Sequence, residues 1–130
     1  MARPVAFDAV ISEVRRFGPL ATLVTVTTAS APHVCTVRLA IDKERLIAKV
    51  GSRTRENLME NPAMTLTWTP EDSDYQLILD GTASVDDDPG VDGLHLARIE
   101  VDQGILHRIA GRAGSGPSCL MVGSVPTIPS

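Results

Sequence analysis

The apolar residues change period along this chain, and each change marks a new element. Phe7, Val10, Ile11, Val14 and Phe17 recur at spacings of three and four, which places them on one face of an amphipathic helix. Pro4 precedes that run and Gly18-Pro19 ends it. Beyond the break the period falls to two. The segments LATLVTVTTA at 20–29 and HVCTVRLAID at 33–42 are rich in Val and Thr, with Ser30-Ala31-Pro32 between them, and they predict a hairpin. Asp42-Lys43-Glu44-Arg45 forms a second polar turn into a third strand, LIAKVG at 46–51. Thr54 to Asn61 carries good helix formers bounded by Pro62 and predicts a short helix. Two more strands follow, AMTLTWT at 63–69 and YQLILDGTASV at 75–85, joined by the acidic loop 70–74. A solvated loop at Asp86-Asp87-Asp88-Pro89-Gly90 leads into LHLARIEV, a turn at Asp102-Gln103-Gly104, and ILHRIA. SCLMV gives a last strand, and VPTIPS reads as a frayed tail.

About seven short strands with hairpin connections predict a mainly β sandwich or closed barrel, because a small sheet must close or pair its edges to avoid aggregation. One helix at the front and one in the middle cannot cover both faces of a parallel sheet, which excludes a parallel α/β fold. The 130 residues fit one domain, 1–130. Apolar residues make up 43% of the chain but aromatics only 3%, so the core is built from Val, Leu, Ile, Ala and Met, which suit a pleated sheet. A net charge of −4 and a pI near 5.2 argue against nucleic-acid or anionic-membrane binding, which needs a basic face. Cys35 and Cys119 have no metal or redox spacing and form no secreted-type disulfide framework. The start MARPVAFDAV lacks a signal peptide's apolar run, and no stretch approaches the ~20 apolar residues of a membrane span. A soluble, cytoplasmic protein is the expectation.

The chemistry concentrates in Lys49-Val50-Gly51-Ser52-Arg53-Thr54-Arg55-Glu56-Asn57, between a strand and the short helix. Backbone N–H groups at a helix start are unsatisfied and the helix dipole favours an anion there, so this junction suits a phosphate. Ser52 and Thr54 add hydroxyl donors, Arg53 can grip a phosphate with two hydrogen bonds, and Lys49 adds a point charge. Arg38 on the preceding strand could reach the same anion, so an acidic chain gathers four cationic side chains near one turn. A second reading stands beside this one. A Ser or Thr ahead of a helix also serves as a plain N-cap, and Arg and Lys at turns are commonly just solvated.

The run SRTRENLMENPAMTLTW, followed by Gln76 and Gly81 in YQLILDG, resembles the core signature of the pyridoxamine 5′-phosphate oxidase-like split-barrel superfamily. Ser52, Asn61-Pro62, Gln76 and Gly81 keep that family's spacing, and GPLATLVTVTTASAPHVCTVRL resembles its first hairpin. The resemblance spans roughly residues 5–85. It implies a Greek-key-like split β-barrel of six to eight antiparallel strands, with an N-terminal helix and one short helix after the third strand. It also implies FMN, or alternatively a deazaflavin, held at the interface of a homodimer. Ser52, Arg53 and Thr54 would then bind the cofactor phosphate, and Thr36, Val37 and Arg38 would border the flavin ring or ribityl chain. Lys49 and Val50 would sit beside the cofactor, and Gln76 would hydrogen-bond the ring or come from the partner. Two departures narrow the activity. Thr54 stands where the classic oxidases carry a Lys, and nothing after Gly90 matches the Trp-containing and Arg-x-His elements that hold their substrate. True pyridoxamine phosphate oxidase activity is therefore not expected.

The implied function is a flavin- or deazaflavin-dependent oxidoreductase in which the cofactor carries the chemistry, with no catalytic acid or base identified. The alternative is a non-enzymatic protein that stores or carries FMN or haem. Other conspicuous residues read as structural. His33, His95 and His107 lack metal-binding spacing, so no metal site is expected, and Trp68 is expected to pack in the barrel. Cys35 and Cys119 read as small core residues, and Asp86 to Asp88 as a solvated loop without calcium-site spacing.

Overall fold

The computed structural model describes residues 6–69, 74–109 and 119–123. In chain order the elements are α1 (Phe7–Phe17), β1 (Leu20–Val26), β2 (Pro32–Asp42), β3 (Arg45–Val50), α2 (Ser52–Glu60), β4 (Ala63–Trp68), β5 (Tyr75–Val85), β6 (His95–Arg108) and β7 (Cys119–Met121). The strands lie in the order β3-β2-β1-β4-β5-β6, and β3 pairs back onto β6. That last pairing turns an open sheet into a closed antiparallel barrel, leaving β7 as an extra strand beside β6. Closure selects the barrel over the sandwich.

The two-residue period maps onto the barrel wall. Ala21, Leu23 and Thr25 of β1 point inward, as do Leu46, Ala48 and Val50 of β3 and Met64, Leu66 and Trp68 of β4. Leu66, Leu77 and Leu79 have no exposed surface at all, so the interior is filled by side chains, as expected for a barrel this narrow. Val10, Ile11 and Val14 of α1 join the same core. Trp68 packs inside as expected, and its indole N–H donates to the carbonyl of Gly18 at 2.9 Å, tying β4 to the end of α1.

Several boundaries differ from the sequence expectation. β1 ends at Val26, because Thr27 to Ala31 form the turn: the Thr27 amide donates to the Ala31 carbonyl at 2.8 Å. The expected turn at Asp102-Gln103-Gly104 does not exist. β6 runs unbroken through it, paired with β5 along its length, and a bulge at Asp80/Gly81 absorbs the irregularity. Turn-forming residue types were overridden by an eleven-residue partner strand. Cys119 is exposed on β7 rather than a core residue, while Cys35 packs partly buried against the core. The acidic loop at 70–73 and the tail VPTIPS lie outside the described residues. Among the described residues, no helix is long and apolar enough to cross a membrane.

Gly81 shows why the bulge needs glycine. A Cβ there would lie 2.0 Å from the backbone oxygen of Glu100, an atom that cannot move without breaking the β5–β6 ladder. At Gly104 the nearest atoms are side-chain atoms, Val122 Cβ at 2.7 Å and Leu79 Cδ2 at 2.9 Å. Gly81→Ala is therefore expected to cost about 3 kcal/mol or more, the upper range for overpacking, and Gly104→Ala less. Urea unfolding of both variants checks the order, and equal midpoints would contradict it.

Candidate functional site

Because the interior is packed, a ligand must bind outside the barrel wall. α2 begins there. Val50 ends β3 opposite His95, the first residue of β6, and Gly51 in extended conformation serves as the N-cap of α2. Gly51 has no side chain to offer, and no side chain caps the helix start. Its carbonyl receives the Arg55 N–H at 3.0 Å, so the amides of Ser52, Arg53 and Thr54 open the helix without an intrahelical acceptor. The helix starts at Ser52, two residues before the expected Thr54. Ser52 and Arg53 are exposed, next to these amides.

Thr54 is placed differently. It is buried, with Oγ1 3.6 Å from the Cys35 thiol, so its hydroxyl faces β2 beneath the helix. Asn57 is buried one turn on and donates to Thr25 Oγ1 at 3.2 Å. These two contacts anchor α2 across the end of the barrel. Val37 and Val50 also face the core, leaving only their backbone to the outside.

Thr36 and Arg38 point outward from β2. Arg38 is next in register to Lys49 of β3, beyond the Leu39 and Ala48 pair. Thr36 opposes Thr22, and Thr22 in turn opposes Thr67. Gln76 Nε2 donates to Thr67 Oγ1 at 2.6 Å. The fold thus lines Thr36, Thr22, Thr67 and Gln76 across the outer face of β2, β1, β4 and β5. Exposed Val34 opposes half-buried Val24 beside that row. His107, exposed on β6, pairs directly with Gln76 on one side and with Cys119 of β7 on the other.

The sequence reading missed the anionic neighbours of the helix start. Lys49 Nζ lies 2.7 Å from Asp92 Oδ2, and an Arg55 terminal nitrogen lies 2.8 Å from Asp87 Oδ1. Both aspartates belong to the loop 86–94, whose base is held by Arg98 on the Asp86 carboxylate at 2.6 Å and by His95 Nδ1 3.0 Å from the Asp86 carbonyl oxygen. The excess of Asp in 86–92 over the basic run 49–55 was the available signal, but pairing the two required knowing that β3 lies beside β6. Among the described residues, no group of three or more His, Cys, Asp or Glu side chains is placed to hold a metal.

No protein-family model matches the chain. Two uncharacterised proteins, from Mycobacterium bovis and Mycobacterium tuberculosis, are each 33% identical to it over 103 residues, covering 71% of this chain and 72% of theirs. The chain belongs to their family. Among solved structures, a Clostridium acetobutylicum protein of the pyridoxinephosphate oxidase family superposes with a TM-score of 0.66 at 13% identity, over 88% of this chain and 93% of that one. A haem storage protein of Vibrio cholerae gives 0.58 at 17% identity, over 75% and 92%. A haem-binding protein of Mycobacterium smegmatis gives 0.62 at 14% identity, over 95% and 60%. The fold is the pyridoxamine 5′-phosphate oxidase-like split barrel. In this split barrel the helix start and the β5–β6 loop meet where β3 closes onto β6.

The Asp86 and Asp92 carboxyls are held below the ordinary carboxylate range, first by the hydrogen bonds from Arg98 and Lys49 respectively. A depressed folded-state pKa stabilises fully above the usual value of about 4 and is lost as pH falls through the lower folded value. The loop is therefore expected to loosen in acid below about pH 4. Amide protection at Asp86 and Leu94, which donate to the Leu96 carbonyl and to Asp92 Oδ1, should fall there before that of Leu66 and Leu79. A simultaneous loss at all four amides would contradict a locally held loop.

Proposed function

We propose that this protein is a flavin-binding oxidoreductase of the split-barrel class, holding FMN by its phosphate at the start of α2. The observation that carries the reading is the uncapped helix start: a glycine N-cap, free amides, and exposed Ser52 and Arg53 beside them. A phosphate fits this donor set, since it supplies acceptor oxygens and negative charge to the positive end of a nine-residue helix. Arg55 Nε, buried without a partner, is a further donor on the same helix. When bound, FMN, or a deazaflavin in its place, supplies hydride and electron transfer. The protein's part is to hold it. Ser52 and Arg53 would bind the phosphate. Thr36, Arg38, Lys49 and Gln76 offer polar groups along the outer face that leads away from it, where Val37 and Val50 contribute backbone alone. Thr54 would act through its amide, because its hydroxyl is turned inward toward Cys35.

FMN titration followed by flavin fluorescence tests the site, with riboflavin as the comparison. FMN should bind tighter than riboflavin, and Ser52→Ala with Arg53→Ala should weaken FMN by roughly ten- to a hundredfold, as for loss of a charge-assisted hydrogen bond. Equal affinity for FMN and riboflavin, or an unaffected double variant, would remove the phosphate site.

The exposed Val34 and half-buried Val24 on the threonine-lined outer face support a homodimer built on that face, with the cofactor at its edge. Val34→Lys is expected to convert the dimer to monomer in sedimentation velocity, and a monomeric parent protein would sink this assignment.

A haem-carrying role has its own support in the haem-binding names of two structural neighbours and in exposed His107. A solvent-exposed imidazole can serve as an axial ligand. Haem titration with a Soret shift that His107→Ala abolishes would favour it, whereas a His107-independent spectrum would count against that ligand.

A further inference from the structure

The acidic loop 86–94 reaches the helix start from the far side of the barrel seam. Two of its carboxylates grip cations on either side of Ser52: Asp92 holds Lys49, three residues before it, and Asp87 holds Arg55, three residues after it. The base of the loop is fixed independently. Arg98 holds the Asp86 carboxylate with two nitrogens at 2.6 and 3.4 Å, and the Asp86 amide donates to the Leu96 carbonyl at 3.0 Å. The Gly90 amide donates to the Leu94 carbonyl at 2.8 Å and closes the loop on itself. A segment pinned at its base and folded on itself therefore crosses the β3–α2 turn with two ionic clasps. Arg55 shows the consequence. Its side chain is only 25% exposed, it is committed to Asp87, and its buried Nε has no partner.

We infer that this loop is a built-in counter-anion for the helix start: a strap whose Asp87 and Asp92 compete with a phosphate group for Arg55 and Lys49. The inference rests on the phosphate reading of α2. In the closed state the two carboxylates neutralise Lys49 and Arg55 and remove their positive potential from the mouth of the site. An entering phosphate recruits Lys49 and Arg55 only by displacing Asp92 and Asp87, so the strap lowers affinity for weak anions and favours ligands with further contacts along the outer face. The clasps are exposed at Lys49 and Asp87, where ion pairs are weak and exchange readily, which suits a contact that must open.

The sign of a mutational effect separates a competing strap from loop residues that merely position the cations. Binding of FMN is measured by fluorescence, and that of inorganic phosphate by amide shifts of Ser52 to Thr54, in the parent protein and in Asp87→Asn with Asp92→Asn. The strap predicts roughly fivefold tighter binding of both probes in the double variant, with a steeper salt dependence because two cations have been released. Asp88→Asn is the control for each single variant, Asp87→Asn and Asp92→Asn, since all three remove one charge from the same loop and only Asp88→Asn leaves both clasps closed. Its effect should be the smaller one. Binding to the double variant alone also supports the strap. Unchanged or weaker binding in the double variant overturns the strap while leaving the anion site standing. An equal effect of Asp88→Asn overturns the clasp mechanism in favour of net charge. Absence of binding by either probe to either protein overturns the strap together with the phosphate reading.

Discussion

The pairing of β3 with β6 is the contact on which everything else in this molecule depends. Five residues of β3, Leu46 to Val50, pair with Ile99 to His95 and convert a sheet with two open edges into a barrel. The ladder satisfies backbone groups that would otherwise template aggregation. It also fixes which surfaces meet. Val50 sits opposite His95, so the turn leaving β3 and the loop entering β6 become neighbours although some forty residues separate them in sequence. Loop closure over that distance is unfavourable entropically, and burial of Leu46, Ala48 and Val50 on β3 and of Ala97 and Ile99 on β6 offsets it.

A barrel of this girth has no spare interior. With Leu66, Leu77 and Leu79 fully buried and α1 contributing Val10, Ile11 and Val14, the inside is occupied by the protein's own side chains. Function is therefore displaced to the outer face and to the seam. There the alternation that buries leucines and valines points Thr22, Thr36, Thr67 and Gln76 outward in one transverse row. The same two-residue period thus builds both the core and the surface available to a ligand.

Electrostatics at the seam are balanced rather than simply basic. Lys49 and Arg55 would, in isolation, reinforce the positive end of α2. Closure brings Asp92 and Asp87 against them, while Arg53 remains exposed with no counter-charge among the described residues. The helix start is held from below by neutral contacts, Asn57 to Thr25 and Thr54 to Cys35, so its orientation does not depend on the ionic clasps. Mechanical anchoring and charge compensation are carried by different residues.

Local pattern determined which residues form α1, the hairpin of β1 and β2, β3, and the strands β4 and β5, because hydrophobic period and Gly/Pro punctuation act over a few residues. It also marked Ser52 and Arg53, since a cationic, hydroxyl-bearing run before a helix is readable in one dimension. Tertiary structure decided what a linear reading cannot. It kept β6 continuous through Asp102-Gln103-Gly104, taking up Asp102 as the extra residue opposite Asp80 and Gly81, because the long β5 partner outweighs the preference of those residues for a turn. It turned Thr54 inward, exposed Cys119, and set Asp87 and Asp92 against Arg55 and Lys49. Each of these outcomes depends on which strand lies beside which, and strand pairing is a non-local property that the barrel acquires only when β3 meets β6.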